Sequence, residues 1–391
     1  MLLQEITLKN VLSFGPEGLT LPLRRLNVLI GPNGSGKSNL LEAIRLLRSS
    51  ATGFSDVFTG QGASPVADWL WKKQPGTVAT MDAVIDYPQG KLPLRHHLEF
   101  TEQNGQFHLV AERIENAQSS ASHDEPFFYY RFRRGHPVLL VGQGKQRQLV
   151  PESLAPDESI LSQRRDPDQY PELGYLASHY QQVRIYNQWS FGRYSVFRQP
   201  QDAALRRTPL AEDFSNLGLF LNYLRTDPQT RETLLEHLRD LYSDLQEVDV
   251  EVRGGTVELY VLEQDKPPVS AKRLSDGTLR YLALLAILLD PQPPALVCIE
   301  EPELGLHPDL LPKLADLLVD ASERMQLIVT THSDILVDAF TERPEDVVVV
   351  ERPQSESRFR RLEKSEQLQR WLQQYRLGQL WLEGELGGTR W

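Results

Sequence analysis

The sequence predicts an α/β fold with a mixed sheet at its core, an antiparallel β lobe and a helical lobe. Three observations predict this fold. A buried-strand pattern at residues 26–30 leads into a glycine-rich loop and then into a helical periodicity over 37–47. Short alternating runs separated by turn residues fill residues 78–149. Apolar strands then alternate with helices from residue 279 to 351, which is typical of a parallel sheet.

The bulk composition predicts a soluble globular chain with two lobes. The chain has 391 residues, 40% hydrophobic and 24% charged, and no apolar run long enough to span a bilayer. No secretory signal is visible at the N-terminus, and Cys298 is the single cysteine, so we expect a reducing cytoplasm and no intrachain disulfide. The net charge of −11 weighs mildly against a dedicated nucleic-acid binder but leaves room for a local basic groove.

Residues 1–150 are predicted as an N-terminal lobe built mostly of strands. Residues 2–9 read as a strand, residues 11–20 as a turn-rich connection, and 26–30 with 37–47 as a strand–loop–helix unit. Five short strands follow, at 80–87, 97–101, 107–114, 127–133 and 137–141. Turn residues such as Asn104-Gly105 and Gly135 separate these strands, so they predict antiparallel hairpins.

Residues 151–245 are predicted as a helical subdomain. Its helices are expected at 159–165, 171–182, 213–225 and 228–244, with a loop at 200–209. Asp213 and Asp227 are the predicted N-caps of the last two helices. These helices separate the hairpin lobe from a final region of α/β alternation.

Residues 246–355 are predicted as a C-terminal lobe, and 356–391 as a tail. A hairpin at 248–253 and 256–262 opens the lobe, followed by helices at 279–289, 308–322 and 334–340 and strands at 295–299, 326–330 and 347–351. This order predicts a parallel sheet shared with the N-terminal strand–loop–helix unit. The tail carries Trp381 and Trp391 among leucines, which favours docking on its own lobe over a handle for a partner.

The loop at residues 31–38 predicts a nucleoside triphosphate site. Its sequence GPNGSGKS fits the spacing G-x-x-x-x-G-K-[ST] between a strand and a helix. The loop directs backbone N–H groups inward at a helix N-terminus, where phosphate oxygens bind. Lys37 is expected to reach the β- and γ-phosphates, and the Ser38 hydroxyl to ligate Mg²⁺. The other predicted binding residues are Asn33, Gly34, Ser35, Gly36 and Asn39.

Paired carboxylates end the apolar strand at 295–299. An acid at the carboxyl end of a parallel strand lies where Mg²⁺ must be held, so we assign Glu300 to the metal. The adjacent Glu301 is assigned to orienting and deprotonating the attacking water. His332 ends the next apolar strand and is predicted to hydrogen-bond the γ-phosphate, although a structural role for a lone histidine stays open.

A serine–glycine turn, RLSDGT at residues 273–278, opens the apolar helix of the C-terminal lobe. Ser275 or Asp276 is expected to cap that helix. The hydroxyl of Ser275 and the amide of Gly277 also form a second anion-binding edge at the helix N-terminus.

Taken in order, these motifs resemble the ABC-type ATPases, in the branch that holds RecF, the SMC proteins and the OLD-type ATPases, and they most resemble standalone bacterial AAA-type ATPases. The resemblance rests on NGSGKSNLLEAI from Asn33, LSDG where relatives have LSGG, EEPELGLHP from Glu300, and TTHS from Thr330. It implies a P-loop NTPase fold of ABC type, ATP and Mg²⁺ as cofactors, and an ATP-dependent head-to-tail homodimer. In that dimer Ser275 and Gly277 touch the γ-phosphate bound to the partner copy.

The resemblance also implies a contact of residues 303–307 across the dimer interface. Two positions depart from the family pattern, since Glu300 stands where many relatives have Asp and Asp276 where many have Gly. An extra carboxylate at 276 is compatible with a triphosphate only if it points away or caps its own helix. Gln74 and Gln188 are the candidates for the Q-loop glutamine.

Three functions follow as alternatives. The first is an ATP-driven clamp that acts on DNA or on a separately encoded effector nuclease, in genome maintenance or anti-phage defence, because the chain ends where OLD-type relatives continue into a TOPRIM nuclease domain. The second is the ATPase of a membrane transporter, which the 237 positions between Ser38 and Ser275 disfavour because transporter ATPases carry the two motifs much closer together. The third is an ATP sensor without turnover, against which Glu300 and Glu301 argue.

Overall fold

Strands dominate the first 150 residues of the chain, and helices alternate with strands beyond them. The computed structural model describes residues 2–59, 63–74, 76–119, 125–133, 136–141, 145–148, 154–155, 157–190, 192–241 and 243–388. The predicted turn residue Gly135 and the tail residue Trp391 lie outside the described residues.

The strands of the described residues are β1 (Leu3–Lys9), β2 (Leu19–Pro22), β3 (Leu26–Ile30), β4 (Ala79–Ile85), β5 (Leu94–Gln103), β6 (Gln106–Asn116), β7 (Phe128–Arg133), β8 (His136–Val141), β9 (Lys145–Gln148), β10 (Arg184–Tyr186), β11 (Gln201–Asp202), β12 (Leu245–Arg253), β13 (Thr256–Glu263), β14 (Val269–Ser270), β15 (Leu296–Glu300), β16 (Gln326–Thr331), β17 (Val347–Glu351) and β18 (Arg358–Arg361). The helices are α1 (Lys37–Ser49), α2 (Asp56–Thr59), α3 (Val66–Trp69), α4 (Ile160–Gln163), α5 (Pro171–Gln182), α6 (Leu217–Leu224), α7 (Pro228–Arg239), α8 (Asp276–Leu288), α9 (Leu311–Ser322), α10 (Asp334–Asp338), α11 (Glu366–Leu372) and α12 (Leu377–Leu382).

These elements belong to two structural units. Unit one comprises Met1–Val183, Glu345–Glu363 and Gly384–Trp391, and unit two comprises Arg184–Pro344 and Lys364–Glu383. The domain boundaries at residues 150, 245 and 355 stay a prediction.

An antiparallel sheet forms most of unit one, in the strand order β2-β1-β4-β5-β6-β7-β8-β9. The predicted hairpins are confirmed, and Asn104 and Gly105, both at positive φ, turn β5 into β6. Residues of β4 and most of β5 alternate between buried and partly exposed because one face covers a core. Asp82 and His97 are buried on the opposite face, where they hydrogen-bond to each other across the two strands. That core contains a cluster of aromatic rings: Phe54, Phe58, Trp69, Phe100 and Phe107.

A parallel pair, β3 and β17, also belongs to unit one, with Val28 opposite Val347. All five residues of β3 are buried, as expected for a parallel strand covered on both faces. Helix α1 follows the loop after β3 and is tied to the region of α5, because Arg48 donates to the Val183 carbonyl over 3.2 Å and Gln181 to the Ala51 carbonyl over 3.0 Å. The predicted strand–loop–helix unit is confirmed.

Unit two contains three parallel strands in the order β10-β15-β16 and the predicted hairpin of β12 and β13. Helix α8 is buried from Thr278 to Leu288, because its side chains are mostly apolar all around the helix, with Arg280 as a buried charged exception. Helix α12 packs against α10, where Gly378 N donates to Asp338 Oδ1 over 2.6 Å and Trp381 is buried. For Trp381, docking of the tail on its own lobe is confirmed.

The structure corrects several local predictions. Helix α6 begins at Leu217 rather than at residue 213, because Asp213 accepts a hydrogen bond from Ser215 N in a turn and Phe214 adopts a φ of 60°. Helix α7 ends at Arg239, before the predicted 244, whereas its predicted cap Asp227 accepts from Thr230 N over 2.8 Å. Strand β11 lies in the predicted loop at 200–209, and β2, β10 and β18 were not predicted as strands. Among the described residues, every helix is too short or too polar to traverse a bilayer.

Candidate functional site

The loop between β3 and α1 has the backbone of a phosphate-binding loop. Gly34 and Gly36 adopt φ values of 75° and 112°, which favour glycine, and Gly34 has open space around it. Gly36 occupies the N-cap position of α1, and as a glycine it has no side chain that could cap the helix. The start of α1 thus lies at the loop, where the positive end of the helix dipole favours an anion.

Side chains of the loop add a cation and hydroxyl groups. Lys37 is buried, and its Nζ donates to the Gly31 carbonyl over 2.7 Å and to the Pro32 carbonyl over 3.1 Å. The Ser35 hydroxyl is buried and has no hydrogen-bond partner within the described part of the chain, while Ser38 is exposed in the first turn of α1. This donor set fits a triphosphate, and the exposed Ser38 hydroxyl fits a ligand for its Mg²⁺.

Residues distant in sequence support the loop from behind. Ser357 Oγ donates to the Ser35 carbonyl over 2.6 Å and lies 2.7 Å from Ser13 Oγ, and a Cβ at Gly36 would lie 2.0 Å from the same Ser357 Oγ. Arg352 donates to the Gly34 carbonyl over 3.2 Å. The sequence gives no local signal for these contacts, since Ser357 follows Ser35 by 322 positions.

The serine–glycine turn in unit two has the geometry of a capped helix start. Ser275 is the N-cap of α8, with Oγ accepting from Thr278 N over 3.0 Å. Gly277 lies so close to the chain at Gly305 that a Cβ would be 2.7 Å from the Gly305 carbonyl oxygen. Only glycine fits this approach, because the atom in contact belongs to the backbone.

The Asp276 carboxylate is turned toward Arg198. Arg198 Nη2 donates to Asp276 Oδ1 over 2.6 Å, and Gly192 N donates to the same carboxylate over 3.1 Å. The hydrogen bond from Arg198, assisted by that from Gly192, lowers the pKa of Asp276 below its ordinary value against the opposing effect of burial. Arg198 also donates to the Leu274 carbonyl over 2.5 Å, so one guanidinium binds both the carboxylate and the backbone of the turn.

Two of the predicted residues of unit two, Glu301 and His332, lie close together. β15 ends at Glu300, and the next residue, Glu301, adopts a φ of 47° while its N–H donates to the Thr330 carbonyl over 3.0 Å. Glu301 Oε1 lies 3.4 Å from His332 Nε2, and both side chains are partly exposed. The Glu303 carboxylate accepts from the His332 N–H over 2.8 Å, which orients the backbone that carries the histidine.

Two functional candidates were missed by sequence reasoning. Trp189 Nε1 donates to the Glu300 carbonyl over 2.7 Å, and Arg280 Nη2 donates to the Glu301 carbonyl. The Arg280 guanidinium lies 3.9 Å from the centre of the Trp189 ring. Neither residue belongs to a motif with fixed spacing.

Gln74 and Gln188 are both exposed, and the choice between them as Q-loop residue stays a prediction.

The structure thus places the P-loop residues 33–39 in unit one and Ser275, Gly277, Glu300, Glu301 and His332 in unit two. A glycine-rich loop before a helix, a serine-capped signature helix and an acid pair after a buried parallel strand define a P-loop ATPase of ABC type. The chain belongs to the family described as "AAA domain, putative AbiEii toxin, Type IV TA system", whose model matches residues 26–338.

Other known proteins agree with this class. Over 66 residues the chain is 46% identical to the DNA replication and repair protein RecF of Azotobacter vinelandii (strain DJ / ATCC BAA-1303), a match that spans 17% of this chain and 16% of the relative. The chain therefore spans only about a sixth of the length of that curated relative. The match and the fold together place the chain among RecF/SMC-like ABC-type ATPases.

Solved structures show the same fold. The structure of an Smc head bound to the C-winged helix domain of ScpA matches with a TM-score of 0.57 and 14% identity, over 93% of this chain and 98% of that chain. An Smc head with an extended coiled coil, bound to the C-terminal domain of ScpA from Pyrococcus furiosus, matches with a TM-score of 0.55 and 12% identity, over 95% and 98% of the two chains. At these identities the likeness concerns the fold.

Proposed function

We propose that this chain binds ATP with Mg²⁺, hydrolyses it, and uses the cycle to close and open a head-to-tail homodimer. The observation that carries the proposal is the position of Glu301, a partly exposed carboxylate after a buried strand with its Oε1 3.4 Å from His332 Nε2. Within a P-loop ATPase fold, a carboxylate in this place serves as general base toward water. Membership in the AAA family supports the same activity.

Each site residue has a role in this proposal. Lys37 neutralises the β- and γ-phosphates, and the backbone of residues 33–39 surrounds them. Ser38 and Glu300 would hold Mg²⁺, which supplies charge neutralisation at the transferring phosphoryl group when bound. Glu301 accepts a proton from the attacking water, and His332 donates a hydrogen bond toward the γ-phosphate.

The closed state brings the partner's Ser275 and the partner's Gly277 to the γ-phosphate. A serine hydroxyl and helix-start N–H groups suit that anion, and α8 begins with both. The expected output is a switch that acts on DNA or on a separately encoded effector nuclease. The RecF relative is named for DNA replication and repair, the Smc heads were solved with ScpA domains, and the family description names a toxin. These names support a role in genome maintenance or defence; a transporter role has no comparable support.

ATP turnover by the purified protein tests the proposal, measured alone and with duplex or single-stranded DNA, together with its mass in the presence of ATP. We expect Lys37→Ala to lose ATP binding, and Glu301→Gln to bind ATP, turn over slowly and accumulate as a dimer. Turnover at the normal rate in Lys37→Ala would discard the site. Stimulation by DNA would identify DNA as the effector, and no response to DNA would favour a protein partner.

A mixing experiment tests the shared site. Ser275→Arg should bind ATP but fail to pair with itself. Mixed with Lys37→Ala, it should recover part of the turnover, because one of the two composite sites then combines an intact P-loop with an intact signature. A mixture as inactive as its components would contradict the head-to-tail arrangement.

A further inference from the structure

Hydrogen bonds hold the backbone of Glu301 on both sides of its Cα. The peptide before its Cα carries the Glu300 carbonyl, which accepts from Trp189 Nε1, and the Glu301 N–H, which donates to the Thr330 carbonyl. The peptide after its Cα carries the Glu301 carbonyl, which accepts from Arg280 Nη2 and from the Leu304 N–H over 3.2 Å. The two peptide planes that define φ and ψ of Glu301 are therefore both fixed by hydrogen bonds.

The conformation held in this way is unusual for a residue with a side chain. A φ of 47° lies in the left-handed region, where the Cβ approaches the following carbonyl oxygen and an L-residue meets a steric penalty. Such conformations persist where the surroundings over-determine them, and they concentrate at functional sites. At Glu301 the conformation carries the carboxylate to 3.4 Å from His332.

Arg280 is suited to this task because it is buried and still charged. Its side chain is 1% exposed, and burial lowers its pKa to about 10, with Glu303 and Glu301 opposing the shift. The guanidinium is therefore protonated at neutral pH. The face of Trp189, 3.9 Å away, stabilises that charge through a cation–π contact. Burying a guanidinium here costs desolvation that an apolar residue would avoid, so its position calls for a specific role.

We propose that Arg280, supported by Trp189, is a positioning residue that holds Glu301 in its left-handed conformation and thereby aims the carboxylate at the attacking water. The proposal rests on the role proposed above for Glu301. Arg280 touches neither ATP nor water in this scheme and acts through the Glu301 carbonyl. Its removal therefore changes the geometry of the reacting carboxylate and leaves the phosphate-binding loop intact.

Steady-state ATP turnover separates these effects. Arg280→Met keeps an unbranched apolar side chain but removes the charge and the hydrogen-bond donor. We expect kcat to fall by about 10-fold or more and KM to stay unchanged, since a catalytic group misplaced by about 1 Å costs up to about 100-fold in rate. Arg280→Lys should recover part of kcat. Trp189→Phe keeps a ring but loses the N–H, and its kcat should lie between those of Arg280→Met and Arg280→Lys. Tyr281→Phe, a buried neighbour on α8, is the matched control and should keep the wild-type kcat.

A normal kcat in Arg280→Met, with or without a raised KM, would overturn the proposal. So would a loss of kcat in Tyr281→Phe equal to that in Arg280→Met, because the effect would then belong to the packing of α8. If Arg280→Met does not fold, Arg280→Lys and Trp189→Phe carry the same comparison.

A second measurement does not depend on turnover. Glycine adopts the left-handed region freely, so Glu301→Gly should melt at a higher temperature than Glu301→Ala when the backbone is held there. In an Arg280→Met background the Glu301 carbonyl loses the Arg280 donor and keeps the Leu304 N–H, so the backbone is held less firmly and the gap between the two variants should shrink. An equal gap in both backgrounds would refute the role of Arg280 even in a protein without ATPase activity, whereas an inactive wild type would refute the proposed function alone.

Discussion

Replacing Gly277 with alanine tests the close approach at the signature turn. The added Cβ would lie 2.7 Å from the Gly305 carbonyl oxygen, nearer than real Cβ contacts come, and the backbone of either residue must shift to relieve it. The φ of Gly277 lies outside the left-handed region, so alanine meets no strain from its own dihedral angles. Overpacking of this kind costs about 1–3 kcal/mol, against which alanine regains up to about 1 kcal/mol of helix propensity.

Gly218→Ala supplies the matched control. Gly277 and Gly218 each occupy the second residue of their helix, α8 and α6, so the propensity gain is the same for both. A Cβ at Gly218 would meet Gln201 Oε1, which accepts from Gly218 N over 2.8 Å, at 3.2 Å, and a smaller shift relieves this contact than relieves the one at Gly277. The difference between the two variants therefore isolates the clash with the backbone.

Urea unfolding of the two variants measures the effect. We expect Gly277→Ala to be less stable than Gly218→Ala by about 1–3 kcal/mol, the overpacking term alone. ATP turnover should fall in Gly277→Ala and stay normal in Gly218→Ala, because only the first change displaces the turn that carries Ser275. Equal stability of the two variants would refute the steric reasoning, and normal turnover in Gly277→Ala would separate the turn from catalysis.

Three further predictions concern contacts around the two motifs and in the antiparallel sheet. Ser357→Ala removes the donor to the Ser35 carbonyl, so we expect a loss of about 1 kcal/mol in unfolding free energy and weaker ATP binding in titration calorimetry; unchanged affinity would show that the loop stands without this support. Arg198→Met should lower ATP turnover, and adding Asp276→Asn should restore part of it, because the carboxylate left without its cation is removed; a double variant no better than the single would count against this pairing. Burial raises the pKa of Asp82, but hydrogen bonds from His97 and Arg95 outweigh burial and hold the pKa below its ordinary value of 3.8. The stabilisation is therefore present above the ordinary pKa and lost as the pH falls through the lowered one, so below about pH 4 the unfolding free energy should drop more steeply in wild type than in Asp82→Asn.

The sequence predicted the parts of the fold that depend on short-range pattern. Strand β3 and helix α5 have the predicted bounds, because a continuous apolar run and a proline-initiated helical period are local properties. Strands β10 and β11 were missed because two or three residues carry no periodicity, and they become strands only by pairing with β15 and β13. Helix α6 was placed too early because Asp213 has the composition of a cap but serves a turn.

In the candidate site, too, the residues found from sequence are those that belong to a short local pattern. The P-loop and the acid pair were found because their chemistry needs fixed spacing within a few residues. Trp189, Arg198 and Arg280 were not, because each acts on a backbone group or a carboxylate that is 21 to 111 positions away in the chain. Arginine and tryptophan side chains reach such targets from many positions, so no local pattern identifies them.

The pairing of Asp276 with Arg198 explains how this chain departs from the usual signature. A carboxylate next to Ser275 would repel a triphosphate if it faced the anion. Here it accepts hydrogen bonds from Arg198 and Gly192, and the shift of its pKa to lower values means that it stays ionised and paired at neutral pH. Because Arg198 also donates to the Leu274 carbonyl, the residue that departs from the pattern forms part of the contact that fixes the turn. Ser275 can thus keep its position at the start of α8 although glycine is absent from position 276. We expect the residues at positions 276 and 198 to change together.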